Sequence, residues 1–169
     1  MQDLKGRPTA KEVAQGFFIS LASDKELIDV EKTLIRDHGI DENKYRWETR
    51  YLSVAATEYA FYSLREGKFS ARARAVRQEY WTLWKEFQTK DKESAFVVAQ
   101  CQARLKLYAP AIDRDATEAW GGFAAGEFAR QFGSVSDIVL LQLQMAGLLV
   151  FDGTFYAVTE MLGTLDVEI

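Results

Sequence analysis

The sequence predicts a mainly α-helical protein, a bundle of six to seven helices with a small β-hairpin near the C-terminus. Apolar residues recur at three- and four-residue spacing through most of the 169 residues. The chain has only two prolines, Pro8 and Pro110, and we expect both at helix ends because proline disrupts helix interiors. Asp152 and Gly153 stand between two apolar runs, and this pattern is typical of a hairpin turn.

Helix ends are indicated by capping residues. Thr9 with Glu12, and Ser23 with Glu26, have the spacing of a capping box. Glycines that follow apolar runs are candidate helix C-caps, namely Gly39, Gly67, Gly133, Gly147 and Gly163. Together these signals predict helices over residues 9–22, 24–38, 41–66, 70–90, 92–109, 113–132 and 135–146. No linker or repeat separates them, so we expect one helical domain over residues 1–169.

Composition narrows the class of protein. The formal net charge is −4, and a single cysteine excludes an intramolecular disulfide. The run from Ile138 to Phe151 is the longest apolar stretch without charge, and it is shorter than the roughly 20 residues of a membrane span. The polar start, Met1 to Val13, does not have the pattern of a signal peptide. We therefore expect a cytoplasmic protein without a membrane segment.

The predicted helix over residues 41–66 carries the first candidate site. At 100° per residue, Glu58 falls inside a broad aromatic arc. A carboxylate among aromatic rings is consistent with a ligand-binding group or a general acid. The alternatives are a structural ion pair with Arg72 or Arg104, or exposure at the edge of the bundle. The candidate ligand-binding residues are Trp47, Tyr51, Glu58, Phe61 and Tyr62.

The next helix carries a second candidate site. Trp81 lies off the apolar stripe, and its neighbours on the helical wheel are Arg74, Arg77 and Lys85. Tryptophan and arginine are enriched in the residues that dominate interface energetics, and these four residues are candidates for binding a partner or an anion. The alternative is that the arginine stems cover a tryptophan at the margin of the core.

Catalytic and metal-binding motifs are not found in the sequence. Cys101 falls on an apolar stripe, which favours a buried, inert thiol. His38 precedes Gly39 at a predicted helix end, where a cationic imidazole interacts favourably with the helix dipole. One cysteine and one histidine cannot supply the common zinc ligand sets. We predict no catalytic residue, no metal and no cofactor.

Residues 122–169 form a candidate helix-turn-helix followed by a hairpin. A short helix ends at Gly133, Ser134 or Ser136 caps a second helix over Asp137 to Ala146, and the Asp152–Gly153 turn follows. This order resembles a winged helix, and the resemblance implies DNA binding. Residues 132–169 contain no lysine or arginine, whereas DNA binding depends largely on cationic contacts to phosphate. Burial of the second helix, or its use in a protein contact, is therefore favoured over nucleic-acid binding.

The leading prediction is a non-enzymatic interaction or regulatory protein. Through its aromatic helices it would bind a protein partner, including a second copy of itself, or a small apolar ligand. One alternative is a winged-helix-type nucleic-acid-binding regulator that uses Arg72, Arg74, Arg77 and Trp81. The other is an enzyme or ligand-binding site centred on a buried Glu58, and an enzyme is the less favoured class.

Overall fold

The computed structural model describes residues 7–22, 26–115, 121–165 and 167, and within them the chain forms seven helices and no strand. The mainly helical class is therefore confirmed. The helices are α1 (Ala10–Ala22), α2 (Asp29–His38), α3 (Glu42–Ser63), α4 (Ser70–Gln88), α5 (Lys92–Asp115), α6 (Gly122–Arg130) and α7 (Asp137–Thr164).

Several predicted helix ends are confirmed. The Thr9 hydroxyl accepts a hydrogen bond from the backbone N–H of Glu12, whose carboxylate accepts one from the backbone N–H of Thr9. Gly39 ends α2 in the left-handed conformation, with φ of 61°. Ser23, the predicted cap of the second helix, lies outside the described residues.

The prediction that Pro110 marks a helix end is wrong. Pro110 lies inside α5, which continues to Asp115. A proline within a helix removes one hydrogen bond, and Ala111 and Ile112 just after it are buried in the core. We attribute the continuation to that burial. The bounds of the predicted helix over 113–132 are also wrong, since residues 113–115 are the end of α5 and α6 begins at Gly122, after Gly121 with its positive φ of 66°. Residues 116–120 lie outside the described part of the chain.

The prediction of a C-terminal β-hairpin is also wrong, since α7 runs unbroken through Asp152 and Gly153. Of the winged-helix pattern, only the helix–turn–helix order is present, as α6 and α7. A buried row at helical spacing continues past the expected turn: Val139, Leu143, Gly147, Phe151, Val158 and Leu162. Burial of that row in one helix outweighs the local preference of Asp-Gly for a turn.

Gly147 and Gly163 lie within α7 and are not the helix caps that the sequence predicted. A Cβ atom at Gly147 would lie 2.8 Å from the Phe128 ring and 3.3 Å from the Cα atom of Ala125, so this glycine allows α6 and α7 to approach closely. A close approach of two helices thus accounts for a glycine that resembles a C-cap in the sequence.

The core is built around α3, which packs against α7 on one side and α5 on another. α6 lies between α5 and α7, and α1 packs against α4. The shorter α2 contacts α7 near the surface. The arrangement leaves α2 and part of α7 as an outer layer with one side free.

Candidate functional site

The two sites predicted from sequence share contacts in the folded chain. The Arg77 Nε atom donates to Glu58 Oε1 at 2.8 Å, and the Trp81 indole nitrogen donates to Glu58 Oε2 at 2.9 Å. Both carboxylate oxygens of Glu58 are thus engaged within the protein. The ion-pair alternative was the right kind of contact, but its partner is Arg77 and not Arg72 or Arg104.

The other cations of the predicted patch are also placed by the structure. The Arg74 side chain donates to the Ser70 carbonyl, and Lys85 is exposed on the same helix. The Arg72 guanidinium donates to the carbonyl oxygen of Leu162 at 2.7 Å, near the C-terminal end of α7. A cation at this position interacts favourably with the helix dipole. Arg72 therefore helps to hold α4 against α7.

The residues of the predicted aromatic ligand site do not all lie together in the folded chain. Trp47 and Tyr51 stack on each other, with their ring centroids 5.8 Å apart. Phe61 is buried in the core against Phe17. Tyr62 is exposed, and the Arg65 guanidinium lies 3.8 Å from its ring centroid. Of the predicted residues, Trp47 and Tyr51 line one cavity together.

A buried ion pair that the sequence did not predict joins α3 and α5. The Arg104 Nε atom lies 3.0 and 3.1 Å from the two carboxylate oxygens of Glu48, and the Glu48 side chain is almost fully buried. The hydrogen bond to Glu48 raises the pKa of Arg104. A paired buried charge of this kind costs desolvation and is weak evidence for function, so we regard it as structural.

Cys101 is buried, as its place on an apolar stripe predicted, and burial raises the pKa of its thiol to about 12. A thiol with that pKa remains protonated at neutral pH and is a poor nucleophile. Within the described residues, no three acidic, histidine or cysteine side chains are grouped so that they could hold a metal ion.

The most prominent surface feature is an apolar face on α2 and α7. Seven large apolar side chains of this region are between 56% and 74% exposed: Ile28, Val30, Ile138, Leu141, Met145, Leu149 and Tyr156. On α7 they recur every three, four or seven residues, so they form one stripe along the helix. We call these seven residues the apolar face.

A groove runs between the two helices that carry the apolar face. Its volume is about 720 Å³, and it is lined by Val30 and Leu34 of α2 and by Ile28, the N-cap residue of that helix. Leu141, Met145 and Leu149 line it from α7. Monomeric soluble proteins rarely expose a large contiguous apolar patch, and such a patch marks an interaction surface.

The apolar face was missed because the hairpin prediction divided α7. The signal is present in the sequence, as Ile138, Met145, Leu149 and Tyr156 fall within about 40° of one another on a wheel at 100° per residue. Had one helix been extended through Asp152 and Gly153, two apolar stripes would have been visible on it. Only one of them packs against α3 and α6.

Among the described residues, α7 is the one helix long and apolar enough to cross a membrane, judged by length and composition. Core helices of soluble proteins meet the same criterion, so this is weak evidence for a membrane span. In the fold α7 packs against α3 and α6 along its buried row. This packing buries one side of α7 and leaves the residues of the apolar face on that helix exposed.

Comparison of the chain with protein-family models, with curated proteins and with solved structures finds no match. The functional proposal therefore rests on the geometry of the chain itself.

Proposed function

We propose that this chain is a non-enzymatic interaction protein that pairs with a second copy of itself through the apolar face. The observation that carries the proposal is the row of seven large apolar side chains, each more than half exposed, on two neighbouring helices. Removal of such surface from water is the main favourable term in protein association. A stable complex buries about 800 Å² on each partner, and an apolar patch of this extent supplies much of that area.

A second copy suits the shape of the surface. α2 and α7 form a layer of two helices that is covered on the inner side only. An identical layer from another copy would complete an arrangement of four helices, in which the ridge of side chains on one α7 enters the groove of the other copy. Two-fold symmetric dimers of this kind are the commonest soluble oligomers.

The charges around the groove favour a partner with an identical surface over a partner with a strongly charged surface. Lys32 lies 3.9 Å from Asp29, and the Arg36 Nε atom lies 2.8 Å from Asp37. Of the three acids that line the groove, these two have cations of the same helix beside them. The third, Glu31, accepts hydrogen bonds from the Tyr45 hydroxyl and the Ile28 backbone N–H, so two copies would not repel each other strongly. Because α7 has no lysine or arginine, attraction to an anionic membrane is weak.

The test is the molar mass in solution, measured by light scattering over a range of concentrations at low and high salt. We expect twice the chain mass of 19.2 kDa at micromolar concentration, with little dependence on salt because the contact is apolar. Leu149→Lys should give a monomer with unchanged helical circular dichroism. A lysine in the middle of the contact would have to be desolvated without a partner.

Phe96→Lys is the matched control, since Phe96 is 62% exposed on α5, away from the apolar face. This variant should remain a dimer. A wild-type chain that is monomeric at all concentrations would refute self-association, as would a dimer that survives Leu149→Lys and dissociates with Phe96→Lys. A monomeric wild type that co-sediments with lipid vesicles would assign the apolar face to a membrane surface instead.

Neither alternative function is supported by a specific contact. Glu58 has both carboxylate oxygens engaged by Arg77 and Trp81, so a substrate would have to compete with these two donors. The same contacts occupy two of the groups that a nucleic-acid surface on α4 would use. We therefore propose the interaction function alone.

A further inference from the structure

A second apolar region, independent of the apolar face, lies between α1, α3, α4 and the start of α5. It is a cavity of about 200 Å³, which we call the aromatic cavity because five rings line it: Phe18, Trp47, Tyr51, Trp84 and Phe87. In another protein an engineered apolar cavity of about 150 Å³ takes up benzene, so the aromatic cavity has room for one phenyl ring with a short chain.

Exposure divides the lining of the aromatic cavity into an apolar interior and a charged mouth. Tyr51, Val54 and Trp84 belong to the interior and are buried. Phe18 packs edge-to-face on Trp84, with centroids 5.1 Å apart, and on Phe87, with centroids 5.7 Å apart. The interior therefore suits a ring, because aromatic pairs prefer centroid separations in this range.

Three charged residues line the mouth, namely Arg50 on α3 and, at the start of α5, Asp91 and Glu93. The Arg50 guanidinium lies 4.8 Å from the Trp47 ring centroid, and this stacking holds it beside the rings of the cavity. The backbone N–H of Ser94 donates to Asp91 Oδ1 at 2.7 Å, and this hydrogen bond lowers the pKa of the Asp91 carboxyl. The mouth thus has a cation from α3 and carboxylates from the start of α5.

The charges at the mouth discriminate among ligands that carry a ring. Lys90, whose Nζ atom lies 5.5 Å from the Phe87 ring centroid, adds a second cation next to Asp91, so two cations balance two acids. A ligand with one charge would meet a like charge as well as an opposite one at this mouth. A zwitterion can place each of its charges beside the opposite charge of the protein.

We infer that the aromatic cavity binds a zwitterionic amino acid with an aromatic side chain. The ring packs in the interior, the carboxylate accepts hydrogen bonds from the Arg50 guanidinium, and the ammonium donates to Asp91 and Glu93. An arginine has five N–H donors in a planar fork that fits a carboxylate. Ligand binding at this cavity is separate from pairing through the apolar face, and either can fail without the other.

Phenylalanine and two analogues that each lack one charge are matched probes. Phenethylamine lacks the carboxylate, and 3-phenylpropionate lacks the ammonium. Titration followed by nitrogen-15 correlation spectra gives the Kd of each probe, and the Trp47 indole signal, identified by its loss in Trp47→Phe, reports occupation of this cavity. Phenylalanine should bind about threefold to tenfold more tightly than either analogue, because each analogue loses charge-assisted hydrogen bonds at a partly exposed mouth.

Two variants test the charges of the mouth separately. Arg50→Gln should weaken the binding of phenylalanine and 3-phenylpropionate without weakening that of phenethylamine. Glu93→Gln should weaken the binding of phenylalanine and phenethylamine without weakening that of 3-phenylpropionate. Arg46→Gln is the matched control, since it removes a cation one turn earlier on α3, outside the lining of the aromatic cavity, and should bind all three probes as the wild type does.

A third variant tests the interior. Val97→Phe adds a ring to a residue that lines the cavity and should abolish binding of all three probes. Leu107→Phe adds the same ring elsewhere on α5, outside the cavity lining, and should bind the probes as the wild type does.

Three results would overturn the inference. The first is no binding of phenylalanine at millimolar concentration. The second is an analogue that binds the wild-type protein as tightly as phenylalanine does. The third is binding of phenylalanine that persists in Val97→Phe. The first two results are read from the wild type alone, so a variant that fails to fold leaves the test decisive.

Discussion

The apolar face and the aromatic cavity are both built from large apolar side chains, yet these side chains differ in their solvent exposure. Around the cavity, rings from α1 and α4 cover one another, with neighbouring centroids between 5.1 and 6.4 Å apart. On the apolar face, side chains of similar size are more than half exposed. Exposure, and not composition, separates a surface that needs a partner from one that is already packed.

α7 contains the same contrast within one helix. Leu143 is fully buried in the row that packs on the bundle, whereas Leu141, two residues earlier, is 60% exposed. Position on the helix decides which leucine stabilises the fold and which is available for an interface. Stability measurements on matched pairs can test this contrast, provided that they are made in the monomeric Leu149→Lys variant so that dissociation does not contribute.

The largest expected effect comes from the pair of leucines. Leu143→Ala should lower the free energy of unfolding by about 2–5 kcal/mol, because it removes packed atoms and leaves a cavity. Leu141→Ala should change it by less than about 0.5 kcal/mol, as is usual for surface substitutions. Urea denaturation followed by circular dichroism measures both. Equal losses of unfolding free energy in the two variants would contradict the burial of α7 on one side only.

The second test uses two glycines of α7. Gly147→Ala should destabilise the protein by about 1–3 kcal/mol, because the new Cβ atom meets the Phe128 ring and overpacks the contact of α6 with α7. A Cβ atom at Gly153 meets nothing within 4 Å. Gly153→Ala should therefore stabilise the helix, by up to about 1 kcal/mol.

The sign of the Gly153 effect distinguishes a helix from a hairpin. In an Asp-Gly hairpin turn the glycine adopts positive φ, and alanine there would destabilise the protein. Thermal unfolding of the two glycine variants beside the parent gives the sign directly. A destabilised Gly153→Ala variant would contradict a continuous α7.

The smallest expected effect is a loss of stability at alkaline pH. Burial raises the pKa of Cys101 from 9.0 to about 12, and burial is also the main cause that raises the pKa of Tyr51 from 10.0 to about 12. A raised pKa in the folded state contributes stability that is complete below the ordinary pKa. It is lost as the pH rises from that value to the folded value.

Between pH 8 and pH 10 the Cys101 contribution should fall by about 1 kcal/mol. Cys101→Ala should remove this part of the pH dependence, whereas Leu141→Ala on the apolar face should leave it unchanged. Urea midpoints at the two pH values provide the measurement. An unchanged pH slope in Cys101→Ala would show that the thiol is more exposed than the fold indicates.

The candidate sites were less predictable than the fold, for a specific reason. A helical wheel placed Glu58 near aromatic residues of its own helix, but the groups that bind it, Arg77 and Trp81, come from α4. Similarly, no spacing rule pairs Glu48 with Arg104, which lies on α5. Contacts between helices depend on how the helices pack, and periodicity within one helix does not contain that information.

The sequence by itself determined the helical class, the start of α1 at its capping box and the end of α2 at Gly39. These features depend on interactions within a few residues, which local sequence specifies. Only the tertiary structure decided that α7 continues through Asp152 and Gly153. A turn preference is a local effect, whereas burial of one large apolar side chain such as Phe151 contributes about 1.5–3 kcal/mol. The same packing left the second stripe of α7 exposed beside α2, where we expect the partner to bind.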